Sequence, residues 1–226
     1  MRFYFFLIFF VAFHSIKASA EVRAVIFDMG GVVVASSNQG LADFLYQELK
    51  IAKNSLPKNL KEAASSLEKG LIDESEFWLQ FASSRNGKVP EDWNFKWKEF
   101  YLHRAVINWD ILHLVQTLRS NGYLTPLLSD TMESHYEINL ERGLFDYFYP
   151  LFNSIHTHLV KPDPRAYEYV LSEIKVKPNE AVLIDDLKEN VDAAINIGII
   201  GLQYFDLSHL IIDFMRLNVK ITHDPI

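Results

Sequence analysis

The sequence predicts an α/β protein: a parallel sheet covered by helices, with a small helical block inserted after the first strand. Three observations carry this. Short β-branched apolar runs recur, each ending in polar residues: Val25-Ile26-Phe27 before Asp28, Tyr123 to Leu128 before Ser129-Asp130, and Ala181 to Ile184 before Asp185-Asp186. Segments with helical apolar spacing separate these runs, the alternation expected of right-handed βαβ crossovers. Directly after the first strand, from about 38 to 104, no strand signal appears.

The first strand lies in VRAVIFDMGGVV, Val22 to Val33. Its brevity and the glycines after it mark a strand buried on both faces. Asp28 then sits at the carboxyl end, where open α/β sheets place their ligands. On this stretch alone Asp28 reads first as a turn or helix-capping residue, with a nucleophile or a metal ligand as the functional readings. Gly30 and Gly31 allow a tight bend and close backbone approach.

Past a polar break at Ser36 to Gly40, Leu41, Phe44, Leu45 and Leu49 recur at helical spacing. A second helix runs from Pro57 to Lys69 and stops at Gly70. A third spans Glu74 to Phe81, capped by Asp73. A fourth, Pro90 to Leu102, carries Trp93, Trp97, Phe100 and Tyr101. These aromatics are expected to pack the helices together. Trp109 to Ser120 is a helix closed by Asn121-Gly122. The strand Tyr123 to Leu128 contains Pro126, which cannot donate to a ladder, so its end is firmer than its centre. Tyr147 to Phe152 is a short strand. Lys161-Pro162-Asp163-Pro164 is a rigid turn before a helix from Arg165 to Ile174. Ala181 to Ile184 is a strand, Glu189 to Ile197 a helix stopped by Gly198, and Gly201 to Phe205 the last strand, with a helical tail to about Leu217. His156 and His158, two apart, have the spacing of one face of a strand, but with no further ligand nearby they read as surface or loop histidines rather than a zinc site.

Composition narrows the function. The chain has 226 residues, a net charge of −7 and no cysteine. The acidic balance excludes a nucleic-acid groove, because it cannot supply the cationic phosphate contacts. The missing cysteines exclude disulfides, thiolate nucleophiles and thiolate metal sites. Residues 1–20 differ in kind: Met1-Arg2, an apolar run from Phe3 to Phe13, then Ala18-Ser19-Ala20. That is the pattern of a secretory signal peptide cleaved after Ala20. The run is too short to span a bilayer, which takes roughly 20 residues. Export to a periplasm or beyond the cell is expected, without stable membrane insertion after cleavage; an uncleaved membrane anchor is the alternative. Nothing in the sequence fixes an oligomeric state.

Side by side, the three strand ends bring Asp28, Ser129, Asp130, Asp185 and Asp186 to one edge, with Lys161 nearby. Converging carboxylates repel unless a cation sits among them. An all-oxygen set favours a hard ion, Mg²⁺. A lysine and a hydroxyl beside it suit a phosphate dianion.

FDMGGVV, LLSDT, KPDP and LIDDLKEN, in that order, resemble the four motifs of the haloacid dehalogenase-like hydrolases, over roughly residues 22 to 207. The resemblance implies a Rossmann-like three-layer core domain of residues 21–36 and 105–226, with a helical cap of residues 37–104. It implies a Mg²⁺-dependent phosphatase for a small phosphorylated metabolite, working through an aspartyl-phosphate on Asp28. Ser129 and Asp130 fall at the phosphoryl-binding motif, and Lys161 steadies the charged intermediate. Asp28, Asp186, Asp185 and the Gly30 backbone carbonyl form the metal site, and Asn190 supports it. Three positions depart from the family. Gly30 stands where most of its phosphatases carry a second aspartate, the general acid and base. Asp130 replaces a common asparagine, and His158 a common glycine. The sequence is similar to a glucose-1-phosphatase-like branch, whose members also have glycine at the position of Gly30, and to the phosphatase domain of soluble epoxide hydrolases. General acid–base help is worth about 10²–10⁴-fold, so slow turnover or a bias toward good leaving groups is expected. Two other readings follow: a binding protein without turnover, and a dehalogenase, which needs neither the second aspartate nor a metal.

Overall fold

The computed structural model of the chain describes residues 21–35, 41–49, 58–84 and 92–222. The signal-like segment 1–20 lies outside these residues. The first strand is β1 (Ala24–Phe27), followed by a two-residue strand β2 (Val34–Ala35). Four helices come next: α1 (Leu41–Leu49), α2 (Lys58–Glu68), α3 (Glu74–Ser84) and α4 (Trp93–Arg104). Then β3 (Val106–Ile107), α5 (Trp109–Ser120), β4 (Leu127–Ser129), α6 (Glu133–Glu141), β5 (Leu151–Asn153) and a helical turn α7 (Ser154–Thr157). The chain continues through α8 (Pro164–Ile174), β6 (Ala181–Asp185), α9 (Lys188–Asn196), β7 (Ile200–Gln203) and α10 (Leu207–Arg216).

Five strands form one parallel sheet in the order β5-β4-β1-β6-β7. Alternation along the central strands makes the three layers. Val25 and Phe27 of β1, with Val182 and Ile184 of β6, pack under Ile111, Val115 and Leu118 of α5 and Phe214 of α10. Ala24 and Ile26, with Ala181 and Leu183, pack on Tyr167 and Val170 of α8 and Ala194 of α9. A side chain of this size contributes about 1.5–3 kcal/mol when fully buried, and both faces need it, so these strands carry no polar residue until they end. Pro126 lies just before β4, where its carbonyl accepts from Phe27 N–H at 2.9 Å; its missing donor is not required there.

The helical block has its own core around Phe44. The rings of Trp78, Trp93, Trp97 and Phe100 meet it edge-on, with centroids 5.7, 5.3, 5.1 and 5.3 Å away, the arrangement ring quadrupoles favour. The aromatics of α4 are therefore packing residues, as their spacing predicts. The antiparallel pair β2–β3, with Val34 opposite Ile107 and Ala35 opposite Val106, is a stem through which the chain leaves and re-enters the core. At two residues each, these strands are too short to leave a periodic signal. A correction concerns His156 and His158. They are not on a strand: β5 ends at Asn153, His156 lies in α7, and His158 follows it at φ 59°. The turn closes through His158 N–H to the Ser154 carbonyl at 2.8 Å. Among the described residues, no helix is long and apolar enough to cross a membrane.

Candidate active site

From β1 the chain runs outward to β4 and β5, then returns to the other side for β6 and β7. β1 is therefore the switch point, where a crevice opens beyond the strand ends. Asp28 stands at its mouth, 7% exposed. Its Oδ1 accepts from Met29 N–H at 2.7 Å and pairs with Lys161 Nζ at 2.7 Å. Among the described residues, Oδ2 receives no hydrogen bond.

The two glycines differ in duty. Gly31 has φ +75°, and a Cβ there would lie 2.1 Å from Asp186 Cγ. Both the turn and the seat of the Asp186 carboxylate thus demand glycine. Gly30 faces open space, with nothing within 4 Å of where a Cβ would project.

Lys161 is buried and bridges two acids, reaching Asp185 Oδ2 at 2.8 Å as well as Asp28. Asp185 is fully buried and saturated with donors: Leu187 N–H at 2.9 Å on Oδ1, and Asn190 Nδ2 at 3.0 Å from each oxygen. Both Asp185 oxygens are thus engaged, and Asn190 reaches this edge through them. Asp130 receives Lys161 backbone N–H at 3.2 and 3.1 Å. The extra carboxylate is paired, and it fixes the lysine turn. Ser129, buried at the end of β4, lies in register with Asn153.

Charge balance at this edge is lopsided. Burial pushes the Asp28 carboxyl up to about 7; Lys161 pulls it down, and Asp185 and Asp130 push it up again. Burial pulls the Lys161 ammonium down, but Asp28, Asp185 and Asp130 outweigh this and raise it above its ordinary range. One ammonium thus serves three carboxylates in a dry site, and burial, with the neighbouring carboxylates adding to it, keeps Asp28 high. Oxygens of Asp28, Asp185 and Asp186 lie within 4.8 Å of one another. A hard divalent cation fits that donor set and would supply the missing charge.

Next to Asp28 a cavity of about 200 Å³ is lined by Met29, Gly30, Ser129, Asp130, Thr131 and Met132 from the core, and by Glu68 and Tyr101 from the helical block, with His135 and Asn139 of α6. Sequence reading misses Glu68, Tyr101, His135 and Asn139. Tyr101 and Asn139 hydrogen-bond each other at 3.0 Å. His135 stacks on Tyr101 with ring centroids 3.7 Å apart. None of these four lies in a strand-end cluster, so only the folding of the block over the sheet edge reveals them.

A sequence profile described as haloacid dehalogenase-like hydrolase matches residues 22–198. The chain is 26% identical over 195 residues to bifunctional epoxide hydrolase 2 of Sus scrofa, covering 78% of this chain and 35% of that one. It spans about a third of the length of that relative. It is 28% identical over 207 residues to the sesquiterpene phosphatase astK of Aspergillus oryzae, covering 81% of this chain and 90% of that one. Among solved structures, an enzyme of the same family from Bacteroides thetaiotaomicron superposes with TM-score 0.71 at 23% identity, covering 84% of this chain and 98% of that one. The same enzyme is known in complex with magnesium and inorganic phosphate, superposing at TM-score 0.67 and 22% identity over the same shares. At these identities the structural likeness shows the fold. The profile covers most of the chain and all four motifs: the chain belongs to the haloacid dehalogenase-like hydrolases.

Proposed function

We propose that the chain is a Mg²⁺-dependent phosphatase for a small phosphorylated metabolite. The observation that carries this is the buried Asp28 at the switch point, 2.7 Å from Lys161, with Asp185 and Asp186 beside it. In this reading Asp28 Oδ2 attacks phosphorus in line with the leaving oxygen. Lys161 Nζ and the Ser129 hydroxyl receive the phosphoryl oxygens. Asp28, Asp186 and the Gly30 carbonyl would hold the metal, with Asp185 beside them, and an ion bound there would supply positive charge against that of the phosphoryl group. Asn190 and Leu187 N–H hold Asp185 so that Asp185 in turn holds Lys161. The relative astK is named a phosphatase, and a Bacteroides thetaiotaomicron structure contains magnesium with phosphate; both support the reading. The clustered carboxylates disfavour the dehalogenase, whose chemistry needs no metal. Gly30 favours a second reading, a binding protein without turnover, because it offers no side-chain acid.

The test is phosphate release from a panel of alkyl, sugar and aryl phosphates with Mg²⁺. Release should fall to background with a chelator and in Asp28→Asn. Ligand binding with no phosphate release from any ester would favour the binding protein instead.

A further inference from the structure

We propose that Glu68, at the C-terminal end of α2, is the proton donor and acceptor for the leaving group, the part Gly30 cannot play. This rests on the phosphatase reading and deepens it. Gly30 and Glu68 line the same cavity, one from the core and one from the helical block. The space beyond Gly30 is open, so nothing on the glycine side fills the place of an acid.

The cavity's other titratable groups are unsuited. The Asp130 carboxylate is bound to Lys161 N–H at 3.2 and 3.1 Å. Tyr101 is pushed above its ordinary range by burial, and its hydroxyl is engaged with Asn139. Burial drives His135 down to about 3, so the ring is neutral at physiological pH. Glu68 is different: burial, and then the Asp130 charge, raise its carboxyl above the ordinary value, with Lys69 opposing. It keeps a proton more readily than an exposed glutamate does, as a general acid needs.

The fold also holds Glu68 in place. The next carbonyl, that of Lys69, meets His158 Nδ1 at 2.7 Å. Gly70, at φ +62°, presses so closely on the Ile155 backbone that a Cβ would lie 2.6 Å from the Ile155 carbonyl oxygen. His158, one of the departures from the family pattern, is thus a clamp on the helix end that carries Glu68.

In the first step the Asp28 oxygen bonds to phosphorus, the ester P–O bond breaks, and the Glu68 proton goes to the departing oxygen, giving an alcohol. In the second, Glu68 takes a proton from water as its oxygen bonds to phosphorus. The P–O bond to Asp28 breaks, releasing phosphate and restoring both carboxyl groups.

The experiment compares the best alkyl phosphate of the panel with p-nitrophenyl phosphate, whose leaving group needs no proton. In Glu68→Gln, kcat on the alkyl ester should fall about 10²–10⁴-fold and that on the aryl ester far less. Glu62→Gln, an exposed acid on the same helix, should change neither. Gly30 lines the same cavity with open space at its Cβ position, so Gly30→Asp/Glu68→Gln should recover alkyl turnover. Equal losses on both esters, or none on either, would overturn the assignment of Glu68 while the phosphatase reading stands. If the unmutated protein hydrolyses neither ester, the phosphatase reading itself fails, and this assignment with it.

Discussion

His135 places a titratable ring where only the neutral form is tolerated. It stacks on Tyr101 at 3.7 Å and lies tilted against Trp97 at 4.8 Å between ring centroids. Its Nε2 is buried and without a hydrogen-bond partner among the described residues. The folded ring takes a proton only near pH 3, whereas the unfolded ring takes one near 6.5. Between those values the unfolded chain binds the extra proton, so stability is complete above about 6.5 and falls as pH falls. The slope is about 1.4 kcal/mol per pH unit, hence a loss of about 2 kcal/mol from this ring at pH 5. Because the raised Asp28 carboxyl changes stability in the opposite sense over this range, the check is a difference: between pH 7.5 and 5 the unmutated protein should lose about 2 kcal/mol relative to His135→Phe in urea unfolding. Residues of this kind are invisible in sequence: a histidine one position after Ser134 has no motif, and its burial depends on rings from α4 and α6 meeting. Asp28, Lys161 and Asp185 are legible because each ends or follows a strand in a fixed order.

At the scale of elements, the helical block is joined to the core by few but specific contacts. Glu74, the first residue of α3, is buried and accepts from Ser134 N–H at 3.1 Å and from its hydroxyl at 2.6 Å. Arg142, just after α6, donates to the carbonyls of Leu102 and Ala105 at 3.0 Å each. Lys98 pairs with Glu137, but both are close to half exposed, and such pairs contribute little. The weight falls on Glu74. Hydrogen bonds to a charged partner contribute about 1.5–3 kcal/mol, and Glu74→Ala leaves a buried N–H unpaired. A loss of about 2 kcal/mol is expected in urea unfolding, against almost none for Lys98→Ala. Asp73 is legible as the cap of α3, and its Oδ1 does accept Glu76 N–H at 2.7 Å. Glu74, one residue on, reads as an ordinary first-turn acid, because a bond to a residue 60 positions away has no local signature.

For the whole molecule, the sheet edge gathers more negative charge than Lys161 balances, and the unfolded chain holds no such cluster. A cation that binds only the folded state stabilises it by about 2.7 kcal/mol at a hundred times its Kd. For a chain of this length that is roughly 5–10 °C in Tm. Thermal melts should therefore rise with Mg²⁺, and the rise should vanish in Asp186→Ala. A melt indifferent to Mg²⁺ would count against the metal site. The same charge accounting links fold and function, since the five-stranded order that makes β1 the switch point also assembles the carboxylates.

The sequence by itself determined the strand ends and, through them, the reacting edge. Those signals are local: an apolar run buried on two faces must stop where a charged residue begins, so Asp28, Ser129, Asp130, Asp185 and Asp186 announce themselves. Helix placement in the block was legible for the same reason, from apolar spacing and caps. Only the tertiary structure decided what faces that edge from across the cavity. Glu68, Tyr101 and His135 come from α2, α4 and α6, and their meeting depends on how a separate aromatic core seats on the sheet. It also decided that Asp130 fixes Lys161 and that His158 takes a left-handed turn to clamp α2. These pairings join residues 31 and 89 positions apart, and hydrogen bonds over such spans leave no periodic mark along the chain.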